Sequence, residues 1–138
     1  MAQQVSAPAQ DIAGLISSIG LGEKPSNSEL QWHVGYAREP ATPRNCITVY
    51  NTGGAGADTD ELDLFRPTVQ VRTRSVSHEE GYAKQVAIMK MLHSISGVTI
   101  LGNLYLSITL ETEITDIGVS DNDLFLITAN YQIIRQST

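Results

Sequence analysis

The sequence predicts one α+β domain over residues 1–138, in which helices form a second layer on one face of a mostly antiparallel sheet. Two segments carry apolar residues at helical spacing, and five others alternate apolar and polar residues as half-buried strands do. In chain order these elements run α, β, β, β, α, β, β, an order typical of neighbouring strands that pair beneath a helix. The length, with 41% hydrophobic and 17% charged residues, suits a single globular core.

The first predicted helix covers residues 8–20. Pro8 stands near its start, and Gly20 and Gly22 stand at its end, as expected of helix termini. Its apolar residues recur at i, i+3, i+4 and i+7, which is the spacing of one buried face. These residues are Ile12, Leu15, Ile16 and Ile19.

Ser77 opens the second predicted helix. The spacing from Ser77 to Glu80 fits a capping box, in which each side chain satisfies the other residue's backbone N–H. Gly97 marks the C-terminal stop. The predicted buried stripe comprises Tyr82, Val86, Met89 and Leu92.

Five segments have the alternation and the residue types of strands. They are residues 29–37, 46–51, 67–75, 103–113 and 123–135. In the third, Val69, Val71 and Thr73 share one face, and Thr68, Gln70, Arg72 and Arg74 share the other. In the fourth, the apolar face comprises Leu104, Leu106, Ile108 and Leu110. In the last, one face comprises Phe125, Ile127, Ala129, Tyr131 and Ile133.

Two connecting segments and one strand bear on assembly. Residues 52–63 hold three glycines and four acids, so we expect a mobile contact loop there. Residues 115–122 have the composition of a turn. The final strand, at about thirteen residues, exceeds the usual five or six, and such a strand is expected to be covered or to pair with something.

Composition argues against several classes of protein. The net charge of −6 disfavours sequence-independent DNA binding, which depends on lysine and arginine neutralising phosphates. Cys46 is the single cysteine, so no intramolecular disulfide is possible. The first ten residues lack the basic and apolar regions of a signal peptide, and no apolar run is long enough to suggest a membrane span.

No group of residues has the pattern of a catalytic, metal or cofactor site. The three histidines, His33, His78 and His93, share no metal-binding spacing with each other or with Cys46, and we interpret Cys46 as a small core residue. The glycine-rich stretch 51–58 lacks the lysine of a phosphate loop and is followed by acids. Asp116, Asp121 and Asp123 lack the glycine and glutamate of a calcium loop, so a solvated turn is the simpler interpretation. We therefore expect no enzymatic activity, no metal and no cofactor.

Arg72 and Arg74 are the most informative charged pair, because both lie on one face of a predicted strand. They either form an ordinary solvated sheet face or pair with acidic loops on another copy, since arginine forks match carboxylates. With the glycine-rich loop they make up the candidate subunit or tube interface. That set comprises Arg72, Arg74, Gly53, Gly54, Asp58, Asp60 and Glu61.

The order of these elements resembles a known family. The strand PTVQVRTR (67–74), the helix GYAKQVAIMK (81–90) and the end LHSISG (92–97) are similar to the phage tail terminator and minor capsid proteins of long-tailed phages. Upstream, ITVYNTGG (47–54) fits, as does the closing YQIIR (131–135). The resemblance spans about residues 30–135 and departs in the turn at 115–123, where the family pattern has a longer loop.

The resemblance implies a function in virion assembly. It implies a six-fold ring of this chain that stops growth of the tail tube and provides the surface for head attachment. The implied fold is a single tail-terminator-like domain. The implied partners are other copies, the tail-tube protein and a head-completion or connector protein. DNA would pass through the channel without specific binding. The lack of a long apolar run separately predicts that no membrane is a partner. The implied location is the tail–head junction of a virion assembled in the host cytoplasm.

Two alternatives to a terminator remain open at this point. One is another neck or tail component, either a head-completion stopper or a tube protein. The other is a small ligand-binding domain or enzyme built on a similar frame.

Overall fold

The computed structural model describes residues 6–18, 32–40, 44–55, 64–120 and 122–137. Within these ranges the chain forms two helices and seven strands. They are α1 (Pro8–Ser18), β1 (His33–Tyr36), β2 (Cys46–Ala55), β3 (Leu64–Ser75), α2 (His78–His93), β4 (Val98–Ile100), β5 (Asn103–Leu110), β6 (Thr115–Val119) and β7 (Phe125–Ser137).

All seven strands belong to one curled, half-barrel sheet. The strand order is β1-β2-β3-β7-β5-β4, and β6 also pairs with β7. Every pairing is antiparallel except that of β1 with β2, which is parallel, so the sheet is mixed. The predicted α+β class is confirmed, the expectation of antiparallel pairing needs this correction, and the arrangement in two layers stays a prediction.

Strand β7 is the centre of the sheet. Its length of 13 residues lets β3 pair along one edge, from Ser75 opposite Phe125 to Leu64 opposite Gln136. The other edge is shared, because β6 pairs with the start of β7 and β5 pairs with its end. The long final strand is therefore covered on both edges by this chain.

The core lies where alternation predicted it in β3 and β7. Val69, Val71 and Thr73 of β3 are fully buried. On β7, four of the five predicted residues are fully buried, namely Ile127, Ala129, Tyr131 and Ile133. A strand with one buried face must show this alternation, because successive side chains point to opposite faces.

Helix α1 packs into this core. The predicted residues Ile12 and Ile16 are fully buried, Leu15 is half-buried, and Ile19 lies outside the described residues. The backbone N–H of Ala9 donates to Asn51 Oδ1 at 2.9 Å, which joins the helix start to β2.

Helix α2 begins after Ser77, as predicted, but only half of the capping box forms, because the Ser77 N–H donates to Ser75 Oγ at 3.1 Å rather than to Glu80. The Ser77 hydroxyl accepts a hydrogen bond from the Glu80 N–H at 3.4 Å. The buried stripe of α2 shares only Leu92 with the predicted one. The buried residues are Gly81, Gln85, Ile88 and Leu92, whereas Tyr82 is 43% exposed. Hydrophobic periodicity missed this face because two of its four members, a glycine and a glutamine, are not apolar.

Contacts explain why that face is buried. A Cβ on Gly81 would lie 3.2 Å from the Ser75 Cβ and 3.3 Å from Ile127 Cδ1, so the helix approaches the sheet closely there. Gln85 Nε2 donates to the carbonyl oxygens of Val71 at 2.9 Å and Ile127 at 3.0 Å. These two bonds offset the cost of burying the amide nitrogen.

A β-bulge corrects the predicted face of β5. The register shifts between Tyr105 and Ser107, so Tyr105 and Ile108 are buried while Leu106 is 38% exposed. One extra residue in a strand moves every later side chain to the opposite face. The predicted face of four alternating apolar residues is therefore wrong before the bulge.

Several predicted boundaries also change. Residues 52–55 continue β2 past a bulge between Asn51 and Gly53, so this part of the predicted loop is strand. The predicted turn at 115–122 contains β6, and β4 was not predicted. Alternation could not predict either short strand, because β6 is exposed at all five positions and β4 alternates over only three residues.

Candidate assembly surfaces

Arg74 joins β3 to the connection between β1 and β2. Only 8% of the residue is exposed. Its NH1 donates to Glu39 Oε1 at 2.9 Å, and its Nε donates to the Arg44 carbonyl oxygen at 3.1 Å. Both partners belong to the connection between β1 and β2, so Arg74 fixes that connection against β3.

Arg72 is less completely bonded than Arg74. Its side chain is 31% exposed and lies 3.8 Å from Glu39 Oε2. The guanidinium lies 5.4 Å from the ring centroid of Tyr50, one diagonal step across the β2–β3 pair. Its Nε is buried without a hydrogen-bond partner among the described residues. Arg72 is therefore held less firmly within the chain than Arg74, and part of its side chain is open to a partner.

Gly53 and Gly54 belong to β2 rather than to a loop. Both have positive φ, at 99° and 101°, next to the bulge in β2. A Cβ on Gly54 would lie 2.4 Å from the Arg66 carbonyl oxygen, so strand pairing itself requires glycine there. Asp58, Asp60 and Glu61 lie outside the described residues. A role for these five residues in contacts with partners stays a prediction.

The histidines and the cysteine have contacts within the chain. His78 Nε2 lies 3.0 Å from Asp116 Oδ1, and His93 Nε2 accepts the Leu110 N–H at 2.9 Å. Burial lowers the pKa of His33, with a smaller contribution from the Arg74 charge. Burial raises the pKa of the fully buried Cys46 thiol to about 11, so it stays protonated at neutral pH.

The three aspartates of the predicted solvated turn differ in their positions and contacts. Asp116 is in β6 and contacts His78, Asp121 lies outside the described residues, and Asp123 has a positive φ of 59°. In the described ranges, His, Cys, Asp and Glu side chains form no cluster of three suited to a metal ion. No helix in the same ranges is long and apolar enough to cross a membrane.

A buried polar network joins α1 to β5 and β7, and no pattern in the sequence analysis predicted it. Asp11 is fully buried and its Oδ2 accepts hydrogen bonds from the Tyr105 hydroxyl and from Asn103 Nδ2. Arg135 NH1 lies 3.5 Å from the same oxygen and donates to the Ser6 carbonyl oxygen. The available signal was an aspartate directly beside the apolar stripe of an amphipathic helix.

Two exposed apolar surfaces also escaped the sequence analysis. The first, which we call the α1 groove, has a volume of about 570 Å³. It is lined by Gln10, Ala13, Gly14, Ser17, Ser18, Val34, Gly35, Tyr36 and Leu101. The second, the β6 edge, comprises residues 115–119 and exposes Ile117 by 46% and Val119 by 54%.

Comparisons with known proteins agree with this fold. A family model described as bacteriophage tail terminator protein matches residues 15–137. No curated protein matches the sequence significantly. A solved chain from a particle described as the virion of a native gene transfer agent (GTA) has a TM-score of 0.55 at 11% identity, with 75% of this chain and 78% of that chain covered. At this identity the likeness shows the fold alone.

The family match covers both helical and strand elements, from within α1 to the last residue of β7. It confirms the resemblance carried by the strand, helix and closing-strand motifs of residues 30–135. The chain therefore belongs to the family of bacteriophage tail terminator proteins and is a structural protein of a phage tail.

Proposed function

We propose that copies of this chain form a closed six-fold ring on the end of the tail tube, where the ring stops tube growth and presents the surface for head attachment. The observation that carries the proposal is the family match over residues 15–137. In this function the protein binds and positions other proteins and performs no catalysis.

Three kinds of protein partner follow from the proposed function. Other copies of the chain close the ring, the tail-tube protein contacts one side, and a head-completion or connector protein contacts the other. The ring sits at the tail–head junction of a virion assembled in the host cytoplasm. With a net charge of −6 per copy, the channel lets DNA pass without specific binding.

Arg72 is the best-supported residue for a contact between copies. A ring of identical subunits needs two different patches that meet, so an exposed cation on one copy requires an anion on the next. The partly exposed guanidinium of Arg72 fits a carboxylate of the acidic segment that contains Asp58, Asp60 and Glu61. On the tube side, residues 52–66 contact the tube protein, and Gly53 and Gly54 set the path of the chain into that segment.

Polymerisation of purified tail-tube protein in the presence of this chain tests the proposal. Tube lengths are measured by negative-stain electron microscopy with and without a molar excess of the chain over tube ends. We expect shorter tubes with density added at one end. An unchanged length distribution without end density would contradict a terminator, incorporation along the tube would indicate a tube protein, and end binding without shortening would indicate a head-side stopper.

A further inference from the structure

Leu101 combines two unfavourable features at one residue. It forms, with Gly102, the two-residue turn between β4 and β5, with φ values of 48° and 84°. Such a turn favours Asn-Gly or Gly-Gly, because branched side chains are disfavoured at positive φ. Leu101 is also 66% exposed, the largest value among the exposed large apolar residues. Neither its backbone conformation nor its burial within this chain accounts for a leucine.

Leu101 lines the α1 groove. The curled sheet brings the β4–β5 turn and the end of β1 together across α1, so Leu101 and Tyr36 line one cavity. The α1 helix contributes Ala13 and Gly14. A Cβ on Gly14 would meet nothing within 4 Å, so the space above the helix is open. The groove is thus an apolar recess of a size typical of binding sites.

The β6 edge is the second surface that lacks a cover within the described residues. All five of its residues are exposed, and within the described ranges β6 pairs only with β7. An exposed apolar edge strand is a template for association with another chain unless a partner covers it. Ile117 and Val119 are the apolar side chains that such a partner would cover.

The positions and charges of the α1 groove and the β6 edge suit a contact between two copies rather than a contact within one chain. Val119 pairs with Phe125 at the start of β7, whereas Asn103, two residues after Leu101, pairs with Ser137 at its end. The separation is on the order of 40 Å along the strand. Residues 111–123 carry five acids and no lysine or arginine, and exposed Arg38 lies two residues beyond Tyr36 at the groove.

We propose that the β6 edge of one copy docks in the α1 groove of the next, with Ile117 and Val119 packed against Leu101 and Tyr36. Because the two surfaces are different and lie at opposite ends of β7, the contact is head-to-tail, as cyclic closure requires. This inference rests on the proposed ring and names the second copy as the occupant of the groove.

Cysteine cross-linking tests the contact. Differently tagged Leu101→Cys and Val119→Cys variants are mixed at high concentration and oxidised, and dimers are separated by non-reducing electrophoresis. The matched control mixes Leu106→Cys, another exposed leucine, with Val119→Cys. We expect at least tenfold more mixed dimer from the first mixture. The wild-type chain measures the background from Cys46, which is fully buried.

The double variant Leu101→Cys/Val119→Cys extends the test to ring closure. Its two cysteines are too far apart in one chain for a disulfide, which needs Cα atoms within about 7 Å. We therefore expect a ladder of linked oligomers that ends at six. Mixed dimer no more abundant than in the control mixture would overturn the proposal.

Filling the groove tests its part in the contact. Gly14→Tyr places a large side chain in the open space above α1, while Gly14→Ala adds one methyl group. We expect Gly14→Tyr to reduce cross-linking between residues 101 and 119 at least tenfold and Gly14→Ala to leave it unchanged. Equal cross-linking in both variants would contradict docking in the groove. Loss of this contact with tube capping retained would leave the terminator function standing and move the ring interface elsewhere.

Discussion

At the scale of single residues, two arginines on one strand face have different structural roles. Arg74 is buried and bonded to Glu39 and to the backbone of Arg44, whereas Arg72 is partly exposed and has a donor without a partner in the described residues. A double substitution of both residues would confuse folding with assembly. Single substitutions separate the two effects.

We predict that Arg74→Gln lowers the free energy of unfolding by about 1.5–3 kcal/mol, the range for a lost hydrogen bond to a charged group. Arg72→Gln should cost less than about 1 kcal/mol, because its ion pair is long and partly exposed. Arg72→Gln should nevertheless weaken ring assembly. Urea denaturation and analytical ultracentrifugation measure the two effects, and normal rings from Arg72→Gln would remove that residue from the interface.

Tyr131 gives a prediction of increased stability. Its hydroxyl is buried without a hydrogen-bond partner among the described residues, so Tyr131→Phe should raise the free energy of unfolding by about 0.5–1 kcal/mol. The matched control, Tyr105→Phe, removes the bond to Asp11 and should lower stability by about 1–3 kcal/mol. Chemical denaturation of both variants tests the contrast, and a loss of stability in Tyr131→Phe would indicate a bond that this account lacks.

The same tyrosine has a consequence at alkaline pH. Burial raises the pKa of the Tyr131 hydroxyl above its ordinary value of 10.0. The free energy of unfolding is therefore unaffected by this titration below that value and falls as pH rises from it towards the folded-state pKa, because only the unfolded chain ionises there. Tyr131→Phe should lose less stability than the wild type above pH 10.

At the scale of elements, the pairing of β2 with β3 depends on the bulge and its two glycines. Gly54 faces the backbone of Arg66, Pro67 and Thr68 at distances that exclude a Cβ, whereas Gly53 has open space around it. Both have positive φ. The two positions thus separate backbone strain from steric exclusion.

We predict that Gly53→Ala costs about 1–2 kcal/mol through backbone strain alone. Gly54→Ala should cost at least about 2 kcal/mol more, because the added methyl group forces the two strands apart. Thermal and urea unfolding of the two variants provide the comparison. Equal destabilisation would mean that β2 and β3 separate easily at this end of the pair.

The sequence was informative wherever an element obeys one periodicity. The faces of β3 and β7 and the start of α2 at Ser77 were predictable, because alternation and capping are local signals. The face of β5 was not, since a single bulge reverses it. The face of α2 was not either, because the side-chain nitrogen of Gln85 donates to carbonyl groups of β3 and β7 that are distant in sequence.

The candidate assembly surfaces, too, were predictable only where a local pattern describes them. Alternation placed Arg72 and Arg74 on one face, but their shared partner Glu39 is more than thirty residues upstream and has no local signal. The α1 groove depends on the curl of the whole sheet, which brings Tyr36 and Leu101 together from opposite ends of the strand order. Surfaces formed by residues that are distant in sequence can be identified only from the three-dimensional structure.

At the scale of the whole molecule, the chain is a curled sheet whose two unlike surfaces lie at opposite ends of its central strand. The acidic segment 111–123 includes the β6 edge, and exposed Arg38 lies two residues beyond Tyr36 of the α1 groove. This polarity suits a subunit that repeats head-to-tail around a ring, because each interface then joins unlike charges. Because the chain belongs to the tail terminator family, the structure that such a ring would cap is the tail tube.

The terminator function is tested by the length of tails in a phage that lacks this gene, measured by electron microscopy of infected-cell lysates. We expect abnormally long tails without heads, because nothing stops tube growth or provides the head-attachment surface. Restoring the gene in trans should return tails to normal length. Tails of normal length without heads, or intact virions, would contradict a terminator.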